Sequence, residues 1–250
     1  RGKMLVRLWQ LLVLVALIGL WELLTAVGVM DAFFMSSPSR IVRTFAELMT
    51  DGFMYHIGVT LLECVIGFTV SMAVGCVIAV LLWLSPLARR ISEPYLVVLN
   101  ALPKIALGPV IIIVVGAGTE AIIFMALAIS LIVTVLEMLA GFRATNPESI
   151  KMARTFGATK RQVFTKIVFP SNINTLFNSL KINIGLSLVG VIAGEFLVSK
   201  AGLGYLIVYG GQVFQLDLVM SSVLILSVMA ALMYQSVVLL QKFVSRWFGG

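Results

Sequence analysis

An all-α, polytopic membrane protein of about six transmembrane helices is the fold class this sequence predicts, on three observations. Apolar residues make up 60% of the 250-residue chain and charged residues only 12%, about half the charged share of a water-soluble domain. Runs of roughly 20 apolar residues recur, each long enough as a helix to cross a hydrocarbon core of about 30 Å. Short alternating strands of the kind that close into a barrel are not visible.

Taken in order, the first span covers about Leu5 to Val29. The Arg-Gly-Lys ahead of the first Met reads as trimmed or leftover residues, and the long first run lacks a small-residue cleavage pattern. From Asp31 to Gly52 the chain turns polar, and SSPSRIVRTFAELM reads as a short surface helix capped near Ser37 to Ser39. The second span runs from about Ile57 to Leu84 and ends at Ser85-Pro86 and the pair Arg89-Arg90. The third begins near Pro94 and ends at Gly116, interrupted by Pro103 and Pro109. A tight turn from Gly116 to Thr119 leads into the fourth, which ends near Gly141. The fifth spans about Asn174 to Val198 and the sixth about Leu216 to Phe243. The whole chain, 1–250, reads as one transmembrane domain with a polar insertion at 146–170.

The net charge of +7 is distributed unevenly. With the N-terminus inside, the internal segments hold Arg1, Lys3, Arg7, Arg89, Arg90, Arg143, Lys151, Arg154, Lys160, Arg161, Lys166, Lys242 and Arg246, thirteen in all. The external ones hold three, Arg40, Arg43 and Lys200. Positive residues stay on the cytoplasmic side, so both termini and the insertion are expected there. Basicity therefore reads as orientation rather than nucleic-acid binding.

No GxxxxGK[ST] phosphate loop occurs, so any ATP used must be bound by another subunit. Metal-ligand spacing is absent too, and the lone histidine, His56, reads as an interfacial residue without a chemical role. Cys64 and Cys76 lie 12 residues apart in one span, about 18 Å along a helix, too far to bond.

The insertion Asn146 to Pro170 is the one long amphipathic, basic and strongly capped interval. Asn146 is an N-cap with Pro147 at the first helical position, and the helix runs to Phe156, where Gly157 supplies a left-handed end. Thr159 with Gln162 is a capping box for a second helix, which Pro170 closes or bends. Lys151, Arg154, Lys160, Arg161 and Lys166 stand against a lone Glu148. Apolar Met152, Phe156, Val163, Phe164 and Ile167 amid that charged rim form a docking face for a groove on a partner. A DNA-binding helix-turn-helix is the rival reading, but about 24 residues between two spans lack a core of their own.

From Lys151 to Pro170 the pattern K-M-A-x-x-x-G-x₉-I-x-F-P resembles the EAA loop of type I ABC importer permeases, with Ala153, Gly157, Ile167 and Pro170 matching. Lys151 and Met152 depart from the loop's glutamate and first alanine. The SPS start at Ser37 to Ser39, ALPKIALGP from Ala101 to Pro109, GEF at Gly194 to Phe196 and GLGYLI from Gly202 to Ile207 resemble the nitrate, sulfonate, taurine and bicarbonate branch. The resemblance implies the MetI-like fold and an ATP-driven importer. Its pathway is formed by two permease copies, a homodimer here. ABC ATPase subunits bind ATP and Mg, and an extracytoplasmic solute-binding protein delivers the solute. It implies no cofactor and no catalysis in this chain, an inner-membrane location in contact with lipid, and no nucleic acid. Lys151, Met152, Ala153, Arg154 and Thr155 become the ATPase-coupling contact, with Gly157 as its bend.

The fifth span is the most polar. Asn174, Asn178, Lys181 and Gly185 form one helical stripe, and Asn183, Ser187, Gly190 and Gly194 another on roughly the opposite face. One stripe lines a pathway while the other packs closely, or both cement packing. Ionisable groups inside spans are costly and mark function. Lys104, with Asn100 nearby, is expected to line the cytoplasmic half of the pathway and attract an anion. In the alternative, Lys104 and Lys181 snorkel to the interface or pair with Glu93, Glu137 or Glu63. Gly202 to Gly211 is expected outside as a re-entrant or surface turn, or as a linker with Tyr205 or Tyr209 as an interfacial anchor. The solute expected is a small anion of the sulfonate, taurine, nitrate or bicarbonate type. The alternatives are a vitamin or thiamine-precursor solute, or a channel or ion-coupled carrier that needs no ATPase; the paired repeats of a carrier are not evident.

Overall fold

The structure, a computed structural model, describes residues 2–29, 36–48 and 52–248. Its long helices are α1 (Gly2–Ala26), α3 (Phe53–Leu84), α6 (Thr119–Ala144), α9 (Ile173–Val198) and α11 (Leu216–Phe248). These five are long and apolar enough to cross a membrane. Between them lie α2 (Pro38–Leu48), α4 (Pro86–Ala101), α5 (Gly108–Val115), α7 (Pro147–Thr155), the irregular helix α8 over residues 160–171, and α10 (Leu203–Gln212).

The centre is a three-helix stack in which α6 packs along both α3 and α9, the two most extensive helix contacts among the described residues. Small residues make that possible. A methyl added at Gly190 would stand 2.5 Å from the Ala126 Cα, and one at Gly67 would meet the Ala126 Cβ at 2.8 Å. Ala126 on α6 is thus wedged between bare backbone of α3 and α9. Between apolar helices in lipid, such close backbone approach is a main source of cohesion. Ser130 reinforces it, donating to Ser71 at 2.6 Å. The small-residue face of the fifth span, with Asn183, Ser187, Gly190 and Gly194 buried, is therefore the packing face.

The third span departs from the expectation of one interrupted helix. α4 starts at Pro86, earlier than expected, under Ser85, whose Oγ accepts from the Ala88 N–H at 3.4 Å. It carries Pro94 in its interior and stops at Ala101. Leu102, forced to extended backbone (φ −64°, ψ 139°) by the proline after it, then turns the chain. The segment Lys104–Val115 leaves at 88° to α4. Pro109 interrupts nothing: it sits in the first turn of α5, where its missing N–H goes unnoticed. If the bent pair is one span the count is six.

The GLGYLI region is a second correction. It is neither a turn nor a linker but the ten-residue helix α10, with Leu203, Gly204, Leu206 and Gly210 buried. Both cysteines are free. At the SPS start, the Ser39 N–H and Oγ–H donate to the Glu22 carboxylate of α1 (3.1 and 2.8 Å). Ser36 donates to Asp217 of α11, which also pairs with Arg40. The Asp31 to Met35 part of the polar connection lies outside the described residues.

Candidate functional site

The local chemistry of the insertion builds what its sequence calls for. The Asn146 Oδ1 accepts from the Glu148 N–H at 2.9 Å, with Pro147 next in line. α7 ends at Thr155, and Gly157 takes φ +79°, the left-handed region that a side chain penalises. This brings the Ala158 N–H to the Ala153 carbonyl (3.0 Å) and the Gly157 N–H to that of Arg154 (2.9 Å), closing the helix. Thr159 and Gln162 form the expected capping box, with the Thr159 N–H donating to the Gln162 Oε1 at 2.8 Å.

Past Val163 the second helix widens into a π-turn, Phe164–Val168, and continues through Pro170 to Ser171. The helix is distorted just before Pro170 and ends one residue after it. The Phe169 N–H reaches back to the Phe164 carbonyl, and the wider turn accommodates a proline that has no N–H of its own.

Of the expected anchors, only part faces outward. Met152 is 60% exposed and Phe156 84%, flanked by exposed Lys151, Arg154 and Thr155. Ala153 turns inward against the core with Ile150 and Ala158. Val163 and Phe164, expected as docking anchors, are buried instead. Phe164 lies edge-on to Phe142 at 5.2 Å and tilted to Trp83 at 5.3 Å, so its partners are the neighbouring spans. Ile167 is half-buried.

On α9, Asn174, Asn178 and Gly185 are exposed and Lys181 is half-buried. The Lys181 Nζ donates to the Gln241 Oε1 on α11 at 2.6 Å. Nothing lies within 4 Å of a methyl added at Gly185. Asn178 lines a small cleft with Glu137 and Thr175. Lys104 and Asn100 meet across the 88° bend: the Nζ donates to the Asn100 carbonyl at 2.9 Å and approaches its Oδ1 at 3.4 Å. Beside Lys104, Ile105 lines an apolar groove of about 580 Å³ with Ile192 and Phe196 of α9 and Val223 of α11. None of the anticipated lysine–glutamate pairs forms. Glu93 binds Arg143, Glu137 accepts from Ser179, and Glu63 faces Glu195.

Sequence reasoning missed a polar knot at the end of the bundle opposite the insertion. There Glu63 and Glu195 are 2% and 1% exposed. Thr60 donates to the Glu195 Oε1 at 2.6 Å and accepts the Leu203 N–H at 2.7 Å, while the Gly204 N–H donates to the Glu195 Oε2. His56, read as an interfacial residue without a chemical role, accepts the Gly202 N–H through Nδ1 at 3.0 Å and stacks on Tyr205. The rule that singled out Lys104 and Lys181, an ionisable group inside an apolar span, applies equally to Glu63 and Glu195.

Residues 67–250 match the family described as binding-protein-dependent transport system inner membrane component. The chain is similar to the putative aliphatic sulfonates transport permease protein SsuC of Bacillus subtilis, with 24% identity over 95% of this chain and 86% of the relative. Another relative is the formylaminopyrimidine transport permease protein ThiX of Halalkalibacterium halodurans, 27% identical over 74% of each chain. Among solved structures, a chain of the MetNI methionine ABC transporter in inward-facing conformations superposes with a TM-score of 0.71 at 17% identity. The match covers 79% of this chain and 98% of that one.

Proposed function

The chain belongs to the family of binding-protein-dependent transport system inner membrane components, and from that membership we propose how this permease is driven and what it carries. It is a multi-pass membrane subunit of an ATP-driven importer and catalyses no bond chemistry. α7 with Gly157 is the element that an ATPase subunit holds, and the nucleotide and its Mg are bound by that partner. The observation that carries this reading is the exposure of Met152 and Phe156 on a helix capped at both ends and rimmed by Lys151 and Arg154. Apolar anchors inside a charged rim are the anatomy of an interface.

In this reading both termini and the insertion are cytoplasmic, on the thirteen-to-three distribution of basic residues. Two copies of the chain enclose the pathway, and a binding protein delivers solute at the opposite end. ATP binding draws two ATPases together and moves the α7 helices with them. The bundle then alternates its opening between the two faces.

The solute is a small anion. Lys104 and Lys181 are supported as its attractors because neither is neutralised by a carboxylate: each is held by a neutral amide or carbonyl. The names of the relatives cover an aliphatic sulfonate and a formylaminopyrimidine, so a neutral or cationic heterocycle is the second reading.

The test is co-purification. Met152→Asp with Phe156→Asp is expected to abolish retention of the ATPase while the permease stays folded in the membrane. Retention unchanged by both substitutions, or solute uptake by purified permease without any ATPase, overturns the reading.

A further inference from the structure

The knot at the far end is short of a hydrogen. Glu195 accepts at both oxygens, from the Thr60 hydroxyl at Oε1 and the Gly204 N–H at Oε2, which fixes it as an acceptor. Glu63 lies within hydrogen-bonding reach of Glu195 and of the Thr119 hydroxyl, and its Oε2 is sealed from solvent without a hydrogen-bond partner. Two ionised carboxylates would place acceptor against acceptor in a dry interior, which is the costly arrangement. Among the described residues, neither forms an ion pair with a lysine or arginine. The other groups that act on the pair are the Thr119 hydroxyl at the start of α6, the neighbouring Cys64 and the Tyr205 backbone, none of them a cation. His56, the titratable group nearby, accepts the Gly202 N–H through Nδ1 rather than meeting either carboxylate.

The backbone around Glu195 is shaped for it. A methyl at Gly202 would fall within the carboxylate, and one at Gly204 would stand 2.7 Å from Oε2. The Gly202-Leu203-Gly204 turn is therefore a seat that only glycine leaves open. Thr60 closes the ring by joining Glu195 to the Leu203 N–H.

We infer that Glu63 and Glu195 share a single proton, with Glu63 as donor, and that Glu195 held in this way is the positioning residue that clamps α10 across the end of the bundle. The shared proton supplies the missing donor, and the carboxylate in turn satisfies the first N–H groups of α10. Second span, fifth span and α10 are joined at one point, so that end of the molecule moves as one body. The inference does not depend on what the chain transports.

Infrared spectroscopy on the full chain in lipid, paired with hydrogen exchange, tests it. The C=O stretch of a protonated carboxyl is expected at neutral pH, lost in Glu63→Gln and kept in Glu120→Gln, an exposed acid. Glu63→Gln still offers a donor through its NH₂ group, so exchange at the Leu203 and Gly204 amides is expected to stay close to that of the unaltered chain. Glu195→Ala is expected to speed exchange there roughly tenfold or more while α6 stays protected. Glu195→Gln, which keeps the shape but sets an NH₂ group against one of two donors, is expected to give the same local loss. It covers the case in which the alanine variant does not fold. A carboxyl band that survives Glu63→Gln, or α10 amides indifferent to both Glu195 variants, overturns the inference.

Discussion

The two ends of the bundle are held by opposite means. At the insertion end, cohesion is apolar: Phe142, Phe164 and Trp83 interlock, and the polar caps stay on the perimeter. At the other end, the charged groups are inside, with Glu63 and Glu195 sealed between α3, α9 and α10. At the insertion end the core is complete without Met152 and Phe156, which stay exposed and are the residues proposed to meet the ATPase. The far end turns its polar groups inward, onto its own helices. Substitutions at the two ends should therefore separate stability from partner binding.

The largest effect is expected at Phe164. Phe164→Ala should lower stability by about 3–5 kcal/mol, whereas Phe156→Ala, eight residues earlier, should stay within about 0.5 kcal/mol and weaken ATPase retention instead. Thermal unfolding in detergent, read beside co-purification, checks both, and equal losses of stability would break the comparison. Next comes Gly204→Ala, whose methyl meets the Glu195 carboxylate; overpacking of this kind should cost about 1–3 kcal/mol. Gly157→Val should cost about 1–2 kcal/mol from backbone strain alone, since φ is +79° and nothing stands within 4 Å. Its signature is a loss of coupling larger than the loss of stability. The smallest change in stability, within about 0.5 kcal/mol, is expected for Lys104→Met and Lys181→Met. Uptake of an anionic solute should nevertheless fall about tenfold, and unchanged uptake would remove both lysines from the pathway.

What was legible in the sequence is local chemistry. Asn146-Pro147, Gly157 and the Thr159–Gln162 box each act within a few residues, and the structure has each as expected. The small-residue face of α9 was legible for a related reason: helical spacing is enough to collect Gly190 and Gly194 on one side. Spacing does not reveal which neighbour a face meets. Val163 and Phe164 read as docking anchors because their partners, Trp83 and Phe142, come from distant spans. The prolines of the third span marked the break, and Pro103 does extend Leu102 where the chain turns, but the 88° angle goes with contacts of α5 on α6 and α9 that the local sequence does not show. The Glu63–Glu195 contact joins residues 132 positions apart in sequence, and neither glutamate announces its mate.

The π-turn at Phe164–Val168 makes the insertion a matter of phase. A wide turn holds one residue more than an ordinary helical one, and each residue rotates a helix by about 100°. Removing one residue there would let the turn relax to ordinary pitch and swing α7 around the axis of α8. Met152 and Phe156 would then face a direction about 100° from their present one. Orientation of the exposed Met152–Phe156 face is thus stored in a single surplus residue, like a keyway cut at one angle on a shaft.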